Sequence, residues 1–237
     1  MKVVKINESQ KERLFEAYRE GFEFDTLSYL GDERWFYGQG NDIEAWEKQF
    51  DYCKKWLGEP FGFGSSRCVF TLNDSIILKL AIGSRREGGI EQNRIEYTVY
   101  QKYKSPLLAT VFDCDENFSY IVCENVVPCV ENDFLEVLGI PFFGTSDGGF
   151  CVNDVLTYIE NNYSLGEEMF DMRIEVLINR NPWFKELKEL IENTGMCDLS
   201  KAVENFGMVN RNGKPSIVIL DAGFNMEVYN KYYVDNG

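Results

Sequence analysis

Histidine is absent from all 237 residues. That excludes Ser-His-Asp and Cys-His nucleophilic machinery and any His-ligated metal site. Acid–base chemistry, if present, rests on carboxylates, Lys, Tyr, Cys or water. Positive charge is scarce: 24 Lys and Arg stand against 39 Asp and Glu, a formal charge of −15. Affinity for nucleic acid depends on Lys and Arg displacing counterions, so neither a nucleic-acid binder nor an anionic-membrane binder is expected. The seven cysteines are odd in number and scattered, with no C-x-x-C pair. Reduced thiols packed as small apolar groups are expected, rather than a disulfide scaffold or a zinc site. No apolar run approaches the roughly 18 residues of a membrane span, and the charged N-terminus lacks a signal-peptide core. The sequence reads as a cytoplasmic protein.

With 44% apolar and 27% charged residues, the chain is globular and long enough to bury a sizeable core. Residues 1–57 read as a helical extension. Ser9-Gln10-Lys11-Glu12 fits a capping box leading Leu14, Phe15, Tyr18 and Phe22, and a second helix is expected from Ile43 to Trp56. The texture changes at Gly58. Strands are expected at Arg67–Leu72 and Ser75–Ala81 around the turn pair Asn73-Asp74, then a helix at Ile90–Tyr103. Two further strands, Leu107–Asp113 and Phe118–Glu124, flank Asp115-Glu116-Asn117. Residues 128–152 look irregular, and Asn153 is the expected cap of a helix reaching Asn162. The clearest helix is Pro182–Asn193, capped by Asn181, with Pro182 at its first position and Gly195 at its close. The tail holds Phe206–Asn210, the turn Asn212-Gly213-Lys214 and the apolar strand Ser216–Leu220. The domain division expected is 1–57, 58–127 and 128–237.

Four features carry chemistry. Gly62-Phe63-Gly64-Ser65-Ser66-Arg67 places glycines where backbone N–H groups can approach phosphate oxygens without obstruction by Cβ; a plain flexible loop is the alternative. Lys79 interrupts an apolar strand, which costs free energy unless its ammonium finds a partner or a solvated edge. Glu96 lies beside the apolar face of the following helix, and a carboxylate there can hold Lys79 extended. Asn205 and Asp221 flank the Asn212-Gly213 turn, and their hard oxygens suit Mg²⁺ bound together with nucleotide phosphates.

In this order the features resemble the protein-kinase signature set. Gly62-x-Gly64-x-x-Arg67-x-Val69 resembles the Gly-rich loop, and Ile77-Leu78-Lys79 the strand bearing the phosphate-anchoring lysine, with Glu96 as its helix partner. Tyr120–Asn125 resembles the strand entering the hinge, with Cys123 at the gatekeeper place. Asp198-Leu199 through Glu204-Asn205 resembles the catalytic loop, and Asp221-Ala222-Gly223-Phe224 the DFG segment. The resemblance spans about residues 58–225 and extends to the small, divergent kinase-like proteins of phages and bacteria. It implies a two-lobed α+β fold, with a small antiparallel sheet plus helix followed by a reduced helical C-lobe. It also implies that Gly62, Gly64, Ser65, Arg67, Lys79 and Glu124 hold ATP, that Asn205 and Asp221 hold Mg²⁺, and that Asp198, Lys79 and Glu96 form the catalytic set.

The departures are specific. Arg67 replaces the third glycine; Asp198 lies seven residues before Asn205 where the family has five; Met196 and Cys197 replace the His and Arg before that Asp. With thirteen residues after Phe224, no activation loop or APE segment is expected. Two functions follow. One is an ATP- and Mg²⁺-dependent phosphotransferase. The other is a catalytically inactive, kinase-like acidic protein that is steered by its charge to a basic protein partner.

Overall fold

The structure, a computed structural model, describes residues 22–31, 45–144, 149–161, 163, 165, 168–211 and 213–234. The helix expected behind the Ser9 capping box lies outside the described residues. The fold is α+β. By its contacts the chain divides into two compact units, Met1–Tyr97 with Thr110–Asn125, and Thr98–Ala109 with Val126–Gly237.

The first unit is built on a five-stranded antiparallel sheet. In chain order its strands are β1 Gly62–Phe63, β2 Arg67–Asn73, β3 Ile76–Ala81, β4 Val111–Cys114 and β5 Tyr120–Glu124, arranged β1-β2-β3-β5-β4. Side chains alternate across a strand, so register decides which residues share a face. Lys79 pairs with Val69 on β2 and with Ile121 on β5, and Arg67 pairs with Ala81. Arg67, Lys79, Ile121 and Cys123 therefore share one face. Cys68, Phe70, Leu72, Leu78, Leu80, Tyr120 and Val122 fall on the other, where they join Phe22, Leu27, Cys53 and Leu57 in one buried cluster. Those last residues come from the N-terminal extension, on and beside α1 Phe24–Gly31 and α2 Ala45–Leu57. The extension is thus part of the first unit's core. Buried Gln49 ties it together, its Nε2 donating to Leu27 O at 3.0 Å and Ser119 Oγ at 2.9 Å.

Three expectations need correction in this unit. The hairpin turn is Asp74-Ser75 rather than Asn73-Asp74; Asn73 stays in β2 and its Oδ1 accepts from Ser75 N at 2.8 Å. Helix α3 is Arg86–Tyr103, starting a full turn before Ile90. A Cβ on Gly89 would sit 2.4 Å from Ser66 O, so a glycine lets the helix close on that turn. The expected strand Leu107–Asp113 divides: its second half joins the strand Val111–Cys114 that pairs with β5.

The second unit accounts for the other half of that strand. Ala109 N donates to Ile219 O at 3.3 Å and Ile219 N to Leu107 O at 2.7 Å, so these residues pair with the end of the strand Lys214–Ile219. The sheet here is β6 Val127–Pro128, β7 Phe206–Arg211 and β8 Lys214–Ile219, in that order and antiparallel. Among the described residues the α-helices that accompany it are α4 Glu131–Leu138, α5 Val152–Glu160, α6 Glu168–Arg180, α7 Pro182–Thr194 and α8 Met226–Tyr232. Helix α7 is as expected: Asn181 Oδ1 accepts from Trp183 N at 2.9 Å, Phe184, Leu187, Leu190 and Ile191 are buried, and Gly195 takes φ 68°. Helix α4 corrects the irregular reading of 128–152, since Asp133 Oδ2 accepts from Val130 N at 2.8 Å and supplies the first-turn cap. Helix α5 begins two residues earlier than expected, with Cys151 rather than Asn153 at the cap. Phe134, Phe142 and Phe206 pack ring on ring, with centroids 4.8 to 5.9 Å apart.

Candidate functional site

In the first unit the sheet face described above meets α3 through charge. Lys79 Nζ is 2.6 Å from Glu96 Oε1, and Arg67 Nη1 is 2.9 Å from Glu96 Oε2. All three are buried, at 8% exposure for Lys79 and Arg67 and 3% for Glu96. Burial in a low-dielectric interior strengthens such pairs and also makes the loss of one partner costly. Arg67 Nη1 also donates to Asn93 Oδ1 at 3.1 Å, and Asn93 Nδ2 donates to Phe118 O at 2.9 Å. Asn93 sits one helical turn before Glu96 on the same side of α3. Cys123 Sγ lies 4.0 Å from Glu96 Oε1, beneath the pair.

The glycine loop closes tightly. Gly62 pairs with Val69, Phe63 with Cys68, and Gly64 N donates to Arg67 O at 2.7 Å. Gly64 and Ser65 are exposed at the tip. A Cβ would find only ordinary contacts, 3.6 Å at Gly62 and 3.5 Å at Gly64. Neither takes a positive φ. The loop therefore does not need these glycines for its own packing. Its far limb is fixed: Ser66 O accepts from Ile82 N at 2.9 Å, and Ser66 Oγ from Gln92 Nε2 at 3.3 Å. Arg67 thus points inward to α3 rather than along the loop. Glu124 at the end of β5 exchanges bonds with Thr110, donating from N at 2.8 Å and accepting at Oε2 at 3.1 Å.

In the second unit Asn205 and Asp221 stand at neighbouring ends of the β7–β8 hairpin. Phe206 pairs with Ile219, and the next bond outward runs from Leu220 N to Asn205 O at 2.9 Å. Asn205 Nδ2 donates to Asp198 O at 2.9 Å. Among the described residues no group of three or more His, Cys, Asp or Glu is placed to hold a metal.

Asp198 has φ 71° and opens a short 3₁₀ turn, Leu199–Lys201, so the extra residues before Asn205 are taken up as a turn. Its carboxylate pairs with Lys201. The turn itself is capped by Glu160, which accepts from Leu199 N at 2.9 Å and Ser200 Oγ at 2.6 Å. Asp198, Lys201, Glu160 and Cys197 border a cavity of about 560 Å³ with Phe224 and Tyr229. Burial first, then the Asp198 and Glu160 carboxylates, push the Cys197 thiol up to about 11, so it rests protonated at neutral pH. Lys201 is held above the usual lysine value by its hydrogen bond to Asp198. Asn93, Glu160 and Lys201 were not singled out in the sequence; Asn93 alone carried a signal, its spacing from Glu96.

No family model matches the chain, and no curated protein sequence does. Among solved structures it is similar to two aminoglycoside phosphotransferases of kinase-like fold. One is APH(2")-IIia in its GDP and kanamycin complex, at 10% identity and a TM-score of 0.30 over 70% of this chain and 66% of that one. The other is APH(2")-IIa in its streptomycin and ATP ternary complex, at 10% identity and a TM-score of 0.29 over 73% of this chain and 70% of that one. The chain thus spans slightly less than two thirds of the first. Among the described residues no helix is long and apolar enough to cross a membrane.

Proposed function

We propose that the protein is an ATP- and Mg²⁺-dependent phosphotransferase of kinase-like fold, working in the cytoplasm on a hydroxyl acceptor. The observation that carries this is the buried Lys79–Glu96 pair at 2.6 Å. A lysine held extended by a helix carboxylate is the arrangement that orients α- and β-phosphates in kinases. Support comes from glycines at 62 and 64 that the loop's own packing does not demand. In the second unit Asn205 and Asp221 offer oxygens to Mg²⁺, which when bound would neutralise charge on the phosphates. Asp198, which lines that cavity, would receive the acceptor's proton once released from Lys201. The seven free thiols suit a reducing cytoplasm.

A second reading has its own observation. The Asp198 carboxylate is already engaged by Lys201, and Asp198 stands seven residues from Asn205. On that reading the chain binds nucleotide and a basic protein partner without transferring phosphate.

Thermal unfolding with and without ATP·Mg²⁺ tests nucleotide binding. At 100 times the dissociation constant the ligand stabilises by about 2.7 kcal/mol, an increment that Lys79→Met should remove. No shift for the wild type would end both readings. Transfer from γ-labelled ATP, abolished by Asp198→Ala, separates the enzyme from the binding protein.

A further inference from the structure

Helix α6 buries Ile174 and Ile178 and leaves Met169, Met172 and Val176 exposed at 79, 63 and 48%. These three recur at i, i+3 and i+7, so they form one apolar stripe where a surface helix ordinarily turns polar residues to water. Beside the stripe runs an open groove of about 700 Å³, walled by Met172, Val176, Tyr158, Glu168, Asp171 and Glu175. The bonds that position two of its carboxylates come from uncharged donors. Asp171 Oδ1 accepts from Leu165 N at 2.8 Å, and Glu175 Oε1 from the Tyr158 hydroxyl at 3.1 Å. Neither bond neutralises the charge it orients. Arg173, on the same helix, stacks over the Phe150 ring at 4.5 Å.

We propose that this groove docks a basic amphipathic segment of a partner protein. Its apolar side chains would lie on Met169, Met172 and Val176, and its Lys or Arg side chains would reach Glu168, Asp171 and Glu175. Methionine adapts its shape to varied apolar partners, which suits a docking stripe. The three carboxylates select the sign of the partner's charge. They oppose phosphate-bearing surfaces, and the chain's net charge of −15 opposes a second copy of itself. The inference stands apart from the nucleotide reading and survives its failure.

The test titrates the full chain with a synthetic helical peptide bearing Lys on one face and Leu on the other. Fluorescence anisotropy at low and high salt gives affinity, and ¹³C-methyl NMR of methionine gives location. Binding should weaken with salt. The methyl signals of Met169 and Met172 should move, while that of buried Met196 should not. Met172→Glu places a charge in the contact and should weaken binding by about tenfold or more. Glu168→Lys should weaken it clearly, while Glu131→Lys, an equal change of charge at an exposed position on α4, should not. Circular dichroism checks that the variants fold, and the methyl shifts in the wild type hold whatever the variants do. Absence of binding, equal effects of Glu168→Lys and Glu131→Lys, or a self-dimer lost in Met172→Glu would overturn the proposal.

Discussion

Glu96 divides one carboxylate between two cations, Oε1 to Lys79 at 2.6 Å and Oε2 to Arg67 at 2.9 Å. Removing the shared anion should therefore be worse than removing either cation. Breaking a buried pair leaves an uncompensated charge and costs about 3–5 kcal/mol. Glu96→Ala is expected in that range, whereas Lys79→Met should cost less because Arg67 still faces Glu96. Urea unfolding of both variants checks the order; an equal or reversed ranking would show that Glu96 is not the hub.

Arg67 is expected to act on the nucleotide through Glu96, not by touching it. Arg67→Leu should lower ATP affinity, and Arg67→Lys, which keeps a cation at the same oxygen, should recover most of it. Calorimetric titration with ATP·Mg²⁺ reads both. Full affinity in Arg67→Leu would leave Arg67 a purely structural residue.

The glycines separate folding from function. A Cβ at Gly89 would meet Ser66 O at 2.4 Å, so Gly89→Ala should destabilise by about 1–3 kcal/mol, the usual cost of overpacking. Gly62→Ala and Gly64→Ala meet only ordinary contacts and should stay within about 0.5 kcal/mol of wild type, as do changes away from packed features. On the phosphate-cradle reading those two should nevertheless weaken ATP binding. Melting curves with and without nucleotide distinguish the two classes.

Much of this was legible from the chain. A lysine inside Ile77-Leu78-Lys79-Leu80 needed a partner, and Glu96 was the carboxylate that one helix could bring to it. Helix α7 announced itself because Asn181, Pro182 and Gly195 are local signals. What escaped depended on distant contacts. Helix α4 has Val130 at its cap position, and its stabilising carboxylate, Asp133, is visible as such only once the turn exists. The start of α3 at Arg86 depends on Gly89 lying against the Ser66 carbonyl, a contact between segments that the sequence does not display. The inward turn of Arg67 follows from strand register, which a sequence motif does not specify. The split of Leu107–Asp113 follows from pairing with Ile219, more than a hundred residues away.

Thiol chemistry should be slow at neutral pH. Burial pushes Cys114 up to about 12 and Cys197 up to about 11, and both are only half-buried, so they are the reachable thiols. Because each value is raised, the thiolate fraction is small at pH 8 and grows as pH climbs toward it. Iodoacetamide labelling followed by mass spectrometry should show Cys197 accelerating with pH before Cys114. Rapid modification of either at pH 7 would contradict this environment.

Asp198 offers the sharpest separation of stability from chemistry. Its φ of 71° lies where an L side chain is strained and glycine is not. Its ion pair with Lys201 is exposed, at 38% and 70% of the two side chains, and so contributes little to folding. Asp198→Gly therefore relieves the backbone while deleting the carboxylate, and the relief offsets the added freedom of glycine in the unfolded chain. Stability within about 0.5–1 kcal/mol of wild type is expected for Asp198→Gly, with Asp198→Ala the less stable of the two. If Asp198 positions the acceptor hydroxyl, both variants lose phosphoryl transfer while keeping ATP binding. Lys201→Met, which frees the carboxylate from its ion pair, should keep transfer. Transfer that survives Asp198→Gly unchanged would remove Asp198 from the reaction and leave it as the residue that opens a turn.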